Sequence, residues 1–82
     1  MDMVEMLREH LAQAEEHVAQ AERHVAHQQE IIAKLEADGL DSRWAREMLA
    51  QFKELQALLI SARDYFRADL ERLTGKDSPP AA

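Results

Sequence analysis

Residues 35–45 read LEADGLDSRWA, and this stretch decides the fold because it separates two long helical patterns. Gly39 is one of only two glycines in the 82-residue chain, and a glycine just after a helix commonly takes the left-handed conformation that ends it. Asp41 or Ser42 follows at a position where a short polar side chain caps the next helix. So short a break between two long helices favours an antiparallel helical hairpin.

The sequence before this break carries an unbroken heptad pattern, written abcdefg. Side chains suited to a core recur at alternating spacings of three and four residues, which is typical of a helix with one buried stripe at its a and d positions. In order, the stripe consists of Val4, Leu7, Leu11, Ala14, Val18, Ala21, Val25, Gln28, Ile32 and Leu35. The pattern predicts helix α1 over residues 3–37, with Asp2 as its cap.

The sequence after the break continues on the same rule. It predicts helix α2 over residues 42–74, a turn at 38–41, a hairpin domain over 1–75 and a flexible tail over 76–82. The a and d positions of α2 are Ala45, Met48, Phe52, Leu55, Leu59, Ala62, Phe66, Asp69 and Leu73.

The two stripes fit each other when the hairpin is closed so that facing residue numbers add up to about 80. Small residues of α1 then face large residues of α2, as Ala21 faces Leu59, which is what dense packing requires. Leu11 opposite Asp69 is a poor match. Gln28 is a polar residue within an apolar seam, and such residues fix register or oligomeric state.

The two sides of the seam differ in character. On the e side, Glu15 is expected to lie against Arg63 as an exposed ion pair of little energetic value. On the g side the residues are mostly neutral and partly apolar, which makes the apolar stripe wider than a two-stranded seam needs. We therefore predict that a second copy docks on the g side and closes a four-helix bundle, giving a homodimer. The predicted interface consists of His10, His17, His24, Ile31, Trp44, Leu58 and Tyr65.

The four histidines are the candidates for chemistry, and three interpretations of them stay open. Half-buried g positions tolerate histidine as an amphipathic side chain. His10, His17 and His24 in an interface would also respond to pH, because imidazole titrates near pH 6.5 and a charge opposes burial. Alternatively, His24 and His27, together with His17, would hold a metal or haem if a second chain supplied further ligands.

Composition disfavours several classes of function. Ten Lys and Arg stand against sixteen Asp and Glu, and a formal net charge of −6 disfavours nucleic-acid binding. The absence of cysteine and the scarcity of glycine exclude a thiolate site and a glycine-rich phosphate loop. No membrane span or signal peptide is visible. We expect a cytoplasmic, non-catalytic protein without a cofactor, which acts as a structural or protein-interaction module; the alternative is the metal- or haem-binding bundle.

A string of residues also carries a resemblance. AERHVA at 21–26, IIA at 31–33 and LEADGLD at 35–41, followed by Leu49 and Phe52, resemble a group of short uncharacterised bacterial helical-hairpin proteins. The resemblance covers residues from about 15 to about 70. It implies a small bacterial protein or module with a hairpin fold, and it supplies neither an activity nor a catalytic residue.

Overall fold

The computed structural model describes residues 2–75, which form two antiparallel helices joined by a short turn. Helix α1 spans Met3–Ala37 and helix α2 spans Arg43–Thr74, and the described residues contain no strand. The predicted all-helical hairpin is therefore confirmed, with α2 beginning one residue later than expected. The predicted tail, 76–82, lies outside the described residues. Neither helix of the described chain is long and apolar enough to span a membrane.

The turn is closed by backbone hydrogen bonds around one left-handed residue. Gly39 has φ 71°, and its amide donates to the carbonyl of Glu36 at 3.1 Å. The next amide, of Leu40, donates to the carbonyl of Leu35 at 2.8 Å. These bonds satisfy carbonyls that the end of α1 would otherwise leave without partners.

The helix starts follow the local sequence, with one difference from expectation. Asp2 Oδ1 accepts a hydrogen bond from the Glu5 amide at 2.8 Å. At α2, Asp41 Oδ1 accepts from the Arg43 amide at 2.9 Å, whereas Ser42 makes no side-chain cap bond. Of the two residues expected to cap α2, Asp41 is the one whose side chain does so.

Replacing Gly39 with alanine is expected to lower the free energy of unfolding by about 1 kcal/mol. A Cβ atom on Gly39 would meet nothing within 4 Å, so the cost comes from the left-handed backbone alone. Gly39→Asn should lose less, because asparagine tolerates this conformation. Urea unfolding followed by circular dichroism, at one protein concentration, measures both. A loss from Gly39→Ala several times larger would show that the site is sterically closed.

The core is narrow and comes mostly from α1. All seven buried residues of α1 lie on its predicted stripe, which confirms that part of the heptad assignment. They are Leu7, Ala14, Val18, Ala21, Val25, Gln28 and Ile32. From α2 only Ala45 is buried, while Phe52, Leu59 and Phe66 are half-buried. A single neighbouring helix cannot cover such large side chains on all sides, and no large side chain in residues 2–75 is completely buried.

The stripe of α2 differs from the prediction at Leu55 and Leu73, which are 49% and 47% exposed. On the other side of the stripe, the e residues Leu49 and Leu70 are half-buried. For Leu55, a d residue next to the g side, the physical reason is that α2 carries apolar residues on both sides of its stripe, and one neighbour covers only one side; Leu73 lies in the last turn of α2. Helix α2 is rotated so that α1 covers the e side.

The two residues expected to form a mismatch, Leu11 and Asp69, are both half-buried. Leu11 is half-buried and lines a depression together with Leu70. Asp69 forms an ion pair with Arg72, one turn further along α2. The carboxylate therefore has a cationic partner within its own helix.

Candidate interaction face

The side of α2 that α1 leaves uncovered lies on the same flank of the hairpin as the g positions of α1. We call it the histidine face; it consists of His10, His17, His24, Ile31, Trp44, Leu55, Leu58 and Tyr65. The most exposed apolar side chains on it are Trp44 at 73%, Leu58 at 69% and Tyr65 at 68%. All seven predicted interface residues are exposed in this chain, so none of them contributes to the core of the hairpin.

A groove runs along the histidine face between the two helices. It consists of three depressions of about 280, 180 and 220 Å³. The first two share His17 and the last two share His24, so the three lie in a row along this face. The α2 wall of the groove is apolar and consists of Phe52, Leu55, Leu59, Ala62 and Phe66. This shape and chemistry suit the side chains of a further helix.

Two histidines on the α1 wall pack against phenylalanines of α2. The ring of His10 lies 5.4 Å from that of Phe66, centroid to centroid, in an edge-to-face arrangement. The ring of His24 lies 6.0 Å from that of Phe52, tilted by 45°. These are favourable aromatic geometries. The three g-position histidines are exposed in this chain, not half-buried as expected. For His10 and His24 these ring contacts agree with the interpretation as amphipathic side chains.

Carboxylates are absent from the α1 side of this face. Helix α1 carries seven of them, and all lie at b, e or f positions, away from the c, d and g positions that border the groove. On α2 the charged residues at c, d and g are Glu47, Glu54, Asp69 and Arg72. Although the chain has a net charge of −6, the histidine face is nearly neutral when its imidazoles are neutral.

The residues proposed for a metal form only part of a ligand set. His24 and His27 line one depression, and His17 lines the adjacent one with His24. Across the described part of the chain, no three His, Asp or Glu side chains come together to hold a metal ion. A structural zinc site takes four ligands, so a metal here would need ligands from a second chain.

The opposite flank carries ion pairs, and the predicted pairing there is wrong. Glu15 Oε2 lies 3.4 Å from a guanidinium nitrogen of Arg67, whereas Arg63 pairs with its neighbour Asp64 at 3.0 Å. The rotation of α2 moves the e residue Arg63 into the edge of the seam, and Arg67 on the next turn reaches Glu15 instead. Exposed pairs of this kind add little stability.

A cluster of ion-paired and hydrogen-bonded side chains lies at the turn. The Arg46 guanidinium and the Ser42 hydroxyl, which donates at 2.9 Å, both bond the Glu36 carboxylate and hold its pKa below the ordinary value. Arg43 likewise lowers the pKa of Asp41, 2.8 Å away. A carboxyl group whose pKa is lowered in the folded state stabilises the fold at pH values above its ordinary pKa. This stabilisation is lost as the pH falls through the pKa of the folded state. These groups order the turn.

Sequence reasoning missed Leu55 as a member of the histidine face, since it assigned this residue to the seam. A signal for it exists. Leu55, Leu58, Ala62 and Tyr65 recur at spacings of three, four and three, which describes a second apolar stripe on α2. Two stripes on one helix indicate two apolar sides, of which α1 covers one.

Comparison of the chain with protein-family models, with curated proteins and with solved structures gives no match. The resemblance to bacterial hairpin proteins thus stays a prediction, and a function has to be argued from the geometry of the chain itself.

Proposed function

We propose that this protein is a non-catalytic, cytoplasmic protein-interaction module that works as a homodimer. Two hairpins pack through their histidine faces into a four-helix bundle. The observation that carries the proposal is the apolar groove along one flank of a hairpin whose Cα atoms extend only 14 Å along the shortest axis. That is one layer of helices, whereas stable domains bury the apolar faces of their helices between two layers.

The exposed area of the chain supports the same conclusion. The accessible surface is 6240 Å² for a chain of 9.4 kDa, whereas a compact monomer of this mass exposes about 5,000 Å². The excess is of order 1,000 Å², close to the ~800 Å² that each partner buries in a standard interface.

The distribution of charge favours a second copy as the partner. Two chains of −6 repel each other at a distance, but the faces that meet carry no α1 carboxylate. A two-fold dimer uses the same patch on both subunits, so the patch must tolerate its own image. A nearly neutral, largely apolar face meets that condition, and it lacks the positive charge that an anionic partner would require.

Leu58→Glu is expected to convert the dimer to a monomer, because it places a carboxylate in the centre of the apolar face. The matched control is Ala57→Glu, which adds the same group one residue away at an exposed f position. Native mass spectrometry and sedimentation should give twice 9.4 kDa for the parent and for the control, and 9.4 kDa for Leu58→Glu.

Three results would contradict this proposal. A parent chain that is monomeric at high micromolar concentration would show that the histidine face serves a different protein. A dimer that retains a stoichiometric metal or haem would instead support the alternative function, with His17, His24 and His27 as the residues to replace. Dissociation by Ala57→Glu as well as Leu58→Glu would place the interface elsewhere.

A further inference from the structure

We propose that protonation reverses assembly through the histidine face, so that the dimer holds near neutral pH and dissociates as the pH falls to about 5.5. This inference rests on the proposed function and names the regulation of the same surface. It follows from where the histidines lie and from which charged groups surround them.

All four histidines border the groove. His10, His17 and His24 occupy successive g positions, and His27 lines the groove from a c position. Histidine is the side chain whose ordinary titration falls between pH 5 and 8. The side chains of the kind that ordinarily titrates over that range therefore all border the groove on the face proposed to dock.

No carboxylate of α1 is placed to form an ion pair with the three g-position histidines when they are protonated. The residues three and four positions before and after His10, His17 and His24, which are their neighbours on the helix surface, include no Asp or Glu. Glu9 and Glu16 directly precede two of them, but adjacent residues on a helix do not face each other. Glu16 also has a cationic partner, since it lies 3.5 Å from Arg23.

His27 has different neighbours. Glu30 lies three residues after it and Arg23 four residues before it, so a charged imidazole at this position has both a carboxylate and a guanidinium within one turn. His27 therefore provides an internal control for the other three.

Helix α2 offers no counterion within the groove either. The charged residues on this side of α2 are those at its c, d and g positions, and Tyr65 is a further titratable group there. Asp69 is paired with Arg72 near the open end of the hairpin, and Glu47 and Glu54 line none of the three depressions. Because the second copy presents the same residues, closing the interface would enclose charged imidazoles without carboxylate partners. Burial without a partner disfavours the charged form.

An opposing effect has to be weighed. Four protons change the formal charge of a chain from −6 to −2, which weakens the repulsion between two copies. At about 0.15 M salt the Debye length is ~8 Å, so this long-range term is largely screened, while the local cost of enclosing the charges is not. By linkage, if the separated monomers bind more protons than the dimer does, the dissociation constant of the dimer rises as the pH falls. We expect an increase of at least about tenfold between pH ~7.5 and pH ~5.5.

The test measures the dissociation constant by sedimentation equilibrium at these two pH values and constant salt. Three chains are compared: the parent, the triple variant His10→Gln, His17→Gln and His24→Gln, and the control His27→Gln. For the parent and the control, the dissociation constant of the dimer should rise on acidification. The triple variant should stay dimeric with a nearly constant dissociation constant. Circular dichroism at both pH values should show folded helices in all three.

The outcomes separate the two proposals. A parent dimer with the same dissociation constant at both pH values overturns the protonation proposal and leaves the proposed function standing. A parent that is monomeric at both pH values overturns both. The protonation proposal is also overturned if the dissociation constant of the triple variant rises as much as that of the parent, or if the parent loses its helical signal at the lower pH.

Discussion

Val18→Asp is expected to abolish the folded state of this protein at 25 °C. Val18 is 3% exposed and lies near the middle of the α1 stripe. A carboxylate there would be enclosed in an apolar seam without a cation, and an uncompensated buried charge costs about 3–5 kcal/mol. A chain of this size has little more than that in total, since small cores supply about 3–5 kcal/mol. Circular dichroism at 222 nm should show loss of most of the helical signal.

The matched control is Ala26→Asp, at an exposed position of the same helix. It introduces the same side chain into α1 and should cost only the difference in helix propensity, about 0.7 kcal/mol. Val18→Ala gives an intermediate case, expected at about 2 kcal/mol from the methyl groups removed. If Val18→Asp unfolds at the same urea concentration as Ala26→Asp, the α1 stripe is not the core and the hairpin seam is misassigned.

The extent of the two helices was predictable because its determinants are local. Gly39 ends α1 through its own left-handed backbone. Asp2 caps the start of α1 because its carboxylate accepts a hydrogen bond from the amide of Glu5, three residues later. The α1 stripe was equally predictable, since its side opposite the a and d positions carries mostly charged residues and alanine. No competing apolar side exists for α1 to bury.

The rotation of α2 was not predictable from spacing. Leu49 and Leu70 on one side of its stripe compete with Leu55 and Leu58 on the other, and heptad periodicity does not rank them. Which of the two pairs is buried depends on which pair helix α1 can cover. The pairing of Glu15 with Arg67 follows from this rotation and could not have been obtained without it.

The candidate face was predictable as a set of residues but not as a shape. The g positions of both helices identify all its members except Leu55 from sequence alone. The contact of His10 with Phe66, and the depressions that make the face a groove, depend on side-chain conformations that periodicity does not specify. Sequence analysis therefore indicates which side of the hairpin is unpartnered, and the structure adds the surroundings of each imidazole.

Gln28→Glu should be the most informative change to the seam, because it alters one atom of a buried hydrogen bond. Gln28 is 6% exposed, and its Nε2 donates to the carbonyl of Ala45 at 3.0 Å. A glutamate there would place a carboxylate oxygen against a carbonyl oxygen in a site closed to water. We expect the free energy of unfolding near neutral pH to fall by about 2–4 kcal/mol.

The loss should be reversed by acid, and its sign follows from linkage. Burial raises the pKa of the introduced carboxyl in the folded state above the value of about 4.3 in the unfolded chain. The free energy of unfolding is then highest at pH values below the pKa of the unfolded chain, and it falls as the pH rises through the pKa of the folded state. Once protonated, the carboxyl is again a donor and can restore the bond to Ala45. Gln29→Glu, one residue away and exposed, introduces the same charge without burial.

Urea unfolding of both glutamate variants at pH ~7.5 and pH ~4.5 measures this effect as a difference. Titration of the native histidines and carboxylates occurs in both chains and cancels. The gap between Gln28→Glu and Gln29→Glu should be large at the higher pH and should narrow at the lower one. Equal stabilities at the higher pH would show that residue 28 is not enclosed. A gap that persists unchanged at the lower pH would assign the loss to altered packing, and the hydrogen bond between the two helices would then have no part in fixing their register.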